Sequence, residues 1–175
     1  KFLSVELKGV DVNYPKKTID SILVYGDWFD QNSAHTVAGW GVSNSLGFNT
    51  YDLIKTIRLY VPKPGTGQIL SPSNAFRSTK VSNVGIFFIN DDLNNSLVFT
   101  GIENARYIFS VDNESVSSIE ITLEDKSYLS EVKEELEELF KGGVLIKDRA
   151  QLNEALYKML NTCLLYTSPS PRDSM

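Results

Sequence analysis

The chain has one histidine, His35, and one cysteine, Cys163. A metal site needs several convergent ligands, and an acid–base pair needs a partner that orients the imidazole. A lone His35 between Ala34 and Thr36 supplies neither, so it reads as a strand residue. Asp91 and Asp92 imitate a carboxylate pair. Adjacent strand residues point to opposite faces, however, and the flanking Asn90, Asn94 and Asn95 spell a turn. Gly65-Thr66-Gly67 lacks the lysine and the strand-to-helix setting of a phosphate loop. Glu131, Glu134, Glu135, Glu137 and Glu138 recur at helical spacing and read as a solvated helix face, not as a metal or acid–base centre. Asn94-Asn95-Ser96 and Asn113-Glu114-Ser115 fit a glycosylation acceptor by chance. Trp28, Phe29, Trp40 and Phe48 could form a sugar platform, but aromatics scattered among short strands usually pack inward. The expectation is a noncatalytic protein with no catalytic, cofactor-binding or metal-binding residue.

Charge narrows the partners further. A net charge of −5 and a pI near 4.9 argue against a nucleic-acid backbone footprint. No apolar run approaches the roughly 18 residues needed to cross a bilayer. With 42% apolar residues, the chain can bury one sizeable core or two small ones.

The elements that would carry these residues fall into two textures. From Val10 to about Ser110 the chain is turn-rich and aromatic. Strands are expected at Ser21–Tyr25, His35–Val37, Lys55–Val61, Val81–Ile89 and Leu97–Phe99. Short helices are expected at Gly39–Leu46, with Gly47 as its cap, and at Gly101–Phe109. Pro62–Lys80 and Asn90–Ser96 read as exposed loops, the first long enough to suggest a function.

After Ser110 the pattern becomes β-α-β-α. Val116–Leu123 alternates like a strand. Ser127–Lys141 carries an apolar stripe of Leu129, Val132, Leu136, Leu139 and Phe140, ends with Lys141 at the negative end of the dipole, and is stopped by Gly142-Gly143. Val144–Lys147 reads as a second strand. Gln151–Asn161 reads as a second helix with Leu152, Ala155, Leu156, Met159 and Leu160 inward. Phe2–Lys8 alternates as well, like a strand already in progress.

The stretch SSIEITLEDKSYLSEVKEELEELFKGGVLIKDRAQLNEALYKMLNT resembles the end of the periplasmic domain of the lipoprotein-releasing permeases. These belong to the wider ABC-transporter permease family that includes the MacB efflux and FtsX division permeases. Its matching features are the strand at Ile119–Leu123, an amphipathic helix, a second strand, Asp148-Arg149, Gln151-Asn153 and the helix at Leu156–Leu160. Upstream, Lys8-Gly9-Val10-Asp11, Gly26-Asp27, Leu46-Gly47 and Tyr60-Val61-Pro62 match in order. The similarity spans nearly all of residues 1–162, and order and spacing carry it.

The resemblance implies an α+β fold of two lobes. A membrane-proximal β-α-β-α lobe would comprise 1–9 and 111–162, with a mainly-β lobe, 10–110, inserted into it. The domain would lie in the periplasm while its parent sits in the inner membrane. It would carry no bond chemistry, since ATP hydrolysis belongs to a separate ATPase subunit. Other implied partners are a second permease copy or sister subunit, and a lipoprotein substrate or soluble periplasmic carrier. In these permeases a long loop of the inserted lobe reaches the carrier. Pro62–Lys80 occupies that interval, which nominates Ile69, Leu70, Pro72, Phe76 and Arg77 as contact residues. A periplasmic adhesion or carbohydrate-binding module is the alternative from another class.

Cys163–Asp173, CLLYTSPSPRD, breaks the preceding helical pattern and resembles a translated transposon adapter from a sequencing library, a natural Ser/Pro-rich linker being the alternative. Residues 163–175 are therefore expected to be a non-native, disordered tail. Membrane segments are expected before Lys1 and after Thr162.

Overall fold

The computed structural model describes residues 1–48, 56–63 and 76–152. Their order is β1 (Glu6–Val10), α1 (Lys16–Ile22), β2 (Leu23–Gly26), β3 (His35–Gly39), α2 (Trp40–Leu46), β4 (Thr56–Pro62), β5 (Phe76–Phe87), α3 (Asp91–Ser96), β6 (Leu97–Gly101), α4 (Ile102–Phe109), a 3₁₀ turn (Lys126–Tyr128), α5 (Leu129–Phe140) and α6 (Arg149–Leu152). The fold is α+β. The chain divides into two compact units, Lys1–Ser117 and Ser118–Met175.

In the first unit a six-stranded mixed sheet has the order β1-β6-β3-β5-β2, with β4 added to β5. β6 is buried along its whole length, and β3 from Thr36 to Gly39. Such strands have both faces covered and read as apolar runs. Alternation sends Val37, Phe87, Leu97 and Phe99 to one cluster with Val10 and Phe29. It sends Ala38 and Val98 to another, where Val42 and Phe48 cover them. Phe87 and Phe99 meet edge to face at 5.1 Å.

Local chemistry sets the helix ends. Pro15, with φ −59°, leads into α1, and its carbonyl accepts from the amides of Thr18 and Ile19. This short helix takes residues 21 and 22 from the expected strand, which starts only at Leu23. Gly47, with φ +72°, ends α2 in the left-handed conformation, as its position in the sequence leads one to expect. Ser43 Oγ also donates to the carbonyl of Phe48, closing that turn.

The stretch expected as an exposed loop, Asn90–Ser96, is the short helix α3 preceded by its N-cap. Asn90 Oδ1 accepts from the amide of Leu93, a side-chain N-cap. Asn94 is buried, and its Oδ1 accepts from the amide of Ile89 at 2.8 Å. Asparagines that suggest a turn are here a helix cap and a buried backbone clamp.

β1 forms its ladder with β6 in parallel register, Glu6 opposite Leu97 through Val10 opposite Gly101. The N-terminal strand expected at Phe2–Lys8 thus starts four residues later. It belongs to the sheet of the first unit, where the resemblance places residues 1–9 with the 111–162 lobe. Its alternating residues are satisfied there, since Val10 enters the core and Leu7 packs beneath Val98.

In the second unit α5 is amphipathic as expected. Lys141 and Gly142, at φ +47° and +76°, turn the chain out of it. Neither Val116–Leu123 nor Val144–Lys147 forms a strand, and neither finds a ladder partner among the described residues. Alternation makes a segment fit for a sheet, but the strand itself needs a neighbour's hydrogen bonds. No residue from Ser118 to Leu152 is buried. α6 starts with a reciprocal capping box. Asp148 Oδ1 accepts from the amide of Gln151 at 2.8 Å, and Gln151 Oε1 accepts from the amide of Asp148 at 3.1 Å. Residues 153–161 of the expected helix lie outside the described residues.

Candidate functional site

The residues weighed for chemistry have structural positions. His35 opens β3 half-buried, and its carbonyl accepts from Thr100 Oγ1 at 2.8 Å. Asp91 and Asp92 are exposed in the first turn of α3, where acids complement the helix dipole. Phe29 and Phe48 are core. Trp28 is half-buried and stacks on Tyr14 and Phe29, with centroids 6.0 and 4.8 Å apart. Trp40 alone of the four aromatics is exposed, tilted against Tyr25. The four therefore do not form one platform. Gly65-Thr66-Gly67 lies outside the described residues. Among the described residues no group of three or more His, Cys, Asp or Glu could hold a metal, and no helix is long and apolar enough to cross a membrane.

Of the five expected contact residues, Ile69, Leu70 and Pro72 lie outside the described residues. Phe76 and Arg77 are not loop residues. They begin β5, with Phe76 opposite Pro62 and Arg77 opposite Val61. The interval expected as one loop from Pro62 to Lys80 is thus strand at both ends. Its ladder runs from Thr56↔Ser82 to Pro62↔Phe76, so β4 and β5 form an antiparallel pair seven residues long. Neighbours on a strand point to opposite faces, so Phe76 and Arg77 cannot share one flat patch.

The two faces of this pair differ. Ile57, Leu59, Val61, Arg77 and Thr79 are half-buried and Val81 is buried. Ile57 packs against the cluster of Phe48 and Val98. Thr56, Arg58, Tyr60 and Pro62 on β4, with Phe76, Ser78 and Lys80 on β5, make the exposed face. Arg58 and Lys80 stand directly opposite each other on it. Neither has an ion-pair partner among the described residues. Tyr60 and Phe76 are 47% and 46% exposed, and Tyr60 meets Phe2 edge to face at 5.9 Å. A shallow depression of about 280 Å³ beside them is lined by Phe2, Phe48, Ile57, Arg58 and Tyr60 among others.

Sequence spacing alone does not group Arg58, Lys80 and Tyr60. Arg58 and Lys80 are 22 positions apart in the chain, and only the register of β4 on β5 brings them together. A signal does exist in the sequence: between Asp52 and Asp91 there are Lys55, Arg58, Lys63, Arg77 and Lys80 and no acidic residue. The chain as a whole is at −5, so the remainder carries −10. The hairpin is thus a basic arm on an acidic protein. Such a face attracts anions electrostatically and offers no nucleophile or general base.

No protein-family model matches the chain, and no curated protein matches it either.

Proposed function

We propose that the chain is the extracytoplasmic domain of an ABC-transporter permease, passing ATPase-driven motion to lipoprotein release or a related export. One observation carries this reading: the ordered resemblance of short motifs along residues 1–162 to the lipoprotein-releasing permeases. Several of those motif residues have a definite physical role in this chain, although the two strands of the resemblance at Val116–Leu123 and Val144–Lys147 do not form. Val10 is core, and Asp11 Oδ1 holds the amide of Asn13 at 3.0 Å in a tight turn. Gly26 has φ +75°, and a Cβ there would lie 2.2 Å from the carbonyl oxygen of Val84. Gly47 is the helix cap, and Asp148 with Gln151 forms the capping box.

On this reading the domain performs no bond chemistry. Its partners are a separate ATPase subunit reached through membrane segments, a second permease copy or sister subunit, and a lipoprotein or its periplasmic carrier. The domain works in the periplasm while its parent is held in the inner membrane. Nucleotide state in the ATPase biases a two-state arrangement of paired domains. The stretch with Ile69, Leu70, Pro72, Phe76 and Arg77 is the contact proposed for a carrier. Because Phe76 and Arg77 face opposite ways, a carrier would engage one of them on each face of the hairpin or wrap its end.

The decisive observation is the native gene beyond the codon of Thr162. An apolar segment of about 20 residues there, beside an ATPase gene, is the expected result. A gene that continues with polar sequence would sink the permease reading. With the full permease reconstituted, a disulfide engineered between the two paired domains should arrest release. Release at the normal rate in the cross-linked protein would sink the mechanical role.

A further inference from the structure

The outer face of the β4–β5 hairpin carries an unbalanced feature. Like charges directly opposite each other on a sheet destabilise the pair, and Arg58 and Lys80 stand in that relation. No acid of the described residues relieves them. Local folding therefore gains nothing from this pair, and an external anion would turn the repulsion into attraction.

We propose that this face is a membrane-surface contact, in which Arg58 and Lys80 hold anionic phospholipid headgroups and Tyr60 and Phe76 enter the interfacial layer. Three features favour a lipid surface over an acidic protein. The exposed aromatics lie in the same two rows as the bases, and rings of this kind settle at the headgroup level of a bilayer. The bases are not focused on one point: Arg77 lies on the opposite face and Lys63 just beyond the end of β4. A fluid layer of headgroups can follow such a distribution, whereas a fixed constellation of carboxylates suits converging bases. Finally, the rest of the chain carries a net −10, so an anionic bilayer repels it on balance and attracts the hairpin. The approach is therefore oriented arm-first. This contact does not rest on the permease reading, and it competes with the carrier for Phe76, so the bilayer and a carrier would exclude each other on this face.

Vesicle flotation of the whole chain tests it. Phosphatidylcholine vesicles containing about one third phosphatidylglycerol should carry the protein, and pure phosphatidylcholine vesicles should not. Raising the salt from about 0.05 M to about 0.5 M should release it. Arg58→Glu and Lys80→Glu should each weaken binding about tenfold or more, because each base near such a surface contributes about a factor of five and reversal counts twice. The same substitutions replace a repulsive cross-strand pair with an attractive one, so the thermal midpoint should hold or rise. Binding that falls while stability does not fall cannot be misfolding. Tyr60→Ala should weaken binding a few fold and leave its salt dependence unchanged. Equal flotation with and without phosphatidylglycerol, or full binding by both charge-reversed variants, would overturn the proposal. So would a chain that ignores the vesicles but binds polyglutamate through Arg58, since the face would then serve an acidic polypeptide.

Discussion

The two units bury their apolar residues very differently. In Lys1–Ser117, every residue of β6 and four of the five in β3 are buried, and two clusters lie on opposite faces of one sheet. In Ser118–Met175, α5 has an apolar stripe of comparable regularity, yet Leu139 is 71% and Leu129 44% exposed. Patterning is therefore equally good in both. What differs is the presence of a second layer: the sheet has helices on it, while α5 has no strand to lie on among the described residues. Amphipathicity alone stabilises a helix little, because most helical stability in proteins comes from packing the apolar face.

The largest expected effect follows from that contrast. Phe99→Ala removes a buried ring that touches Tyr14, Trp28 and Phe87. The loss should be about 3–5 kcal/mol, the transfer of the ring plus the cavity it leaves among those neighbours. Leu139→Ala removes a side chain already in water and should change stability by less than about 0.5 kcal/mol. Both tryptophans, Trp28 and Trp40, belong to the first unit, so tryptophan fluorescence during urea unfolding reads the loss from Phe99→Ala, and amide exchange along α5 reads the effect of Leu139→Ala. Comparable shifts from the two substitutions would mean that α5 is packed after all.

A middle-sized effect comes from Gly26. Its φ of +75° and the 2.2 Å approach of a Cβ to the Val84 carbonyl leave no room for a side chain. Gly26→Ala should cost about 1–3 kcal/mol, since the strand must shift or the backbone must adopt a strained conformation. The amides paired around Gly85 should then exchange faster with deuterium. Unchanged exchange there would show that β2 holds the sheet less tightly than its register implies.

These positions also show which parts of the fold could be read from sequence. Leu97–Phe99 is an apolar run and His35–Val37 carries the β-branched pair Thr36-Val37, each near turn residues, and Gly47 sits one residue past a periodic helix. Such signals are local, and the structure agrees with them. The failures share a different cause. Phe76–Lys80 becomes strand only because β4 lies beside it, 14 or more residues away in sequence. Val116–Leu123 has the alternation but lacks the partner. Asn90 and Asn94 have the composition of a turn but find amides to accept from, and that depends on where the Ile89 amide lies in space. The contact residues suffered likewise. Phe76 next to Arg77 reads as one patch in a loop and becomes two faces once the strand forms.

The second unit should respond to changes in caps more than to changes in packing. Asp148→Ala removes one half of the box that opens α6, along with the neighbour of Lys133, whose Nζ lies 3.9 Å from Asp148 Oδ2. The expected loss is about 1 kcal/mol, mostly from the cap, since a half-buried ion pair held at 3.9 Å adds little. It should appear as faster amide exchange at Gln151 with the first unit unaffected. Asp148→Asn keeps an accepting oxygen and should recover most of the protection. If Asn and Ala behave alike, the charge near Lys133 matters and the cap does not.

The smallest effect is electrostatic and confined to the 3₁₀ turn before α5. Asp125 Oδ1 accepts from the amide of Ser127 at 2.8 Å. That backbone bond, then one from the Ser127 side chain, holds the carboxyl below its usual range, and slight desolvation opposes them. A carboxylate whose pKa is lower folded than unfolded stabilises the turn at neutral pH. The contribution is fully present above the unfolded pKa and is lost as the pH falls through the folded one. Because Asp125 is fully exposed, the effect should be local. An NMR titration from about pH 6 to about pH 2 should move the Ser127 amide at a lower midpoint than in a short peptide of residues 123–129. Asp125→Asn should abolish that transition while the amides of β6 stay unmoved. Coincident midpoints in protein and peptide would show that the 3₁₀ turn leading into α5 is not held by Asp125.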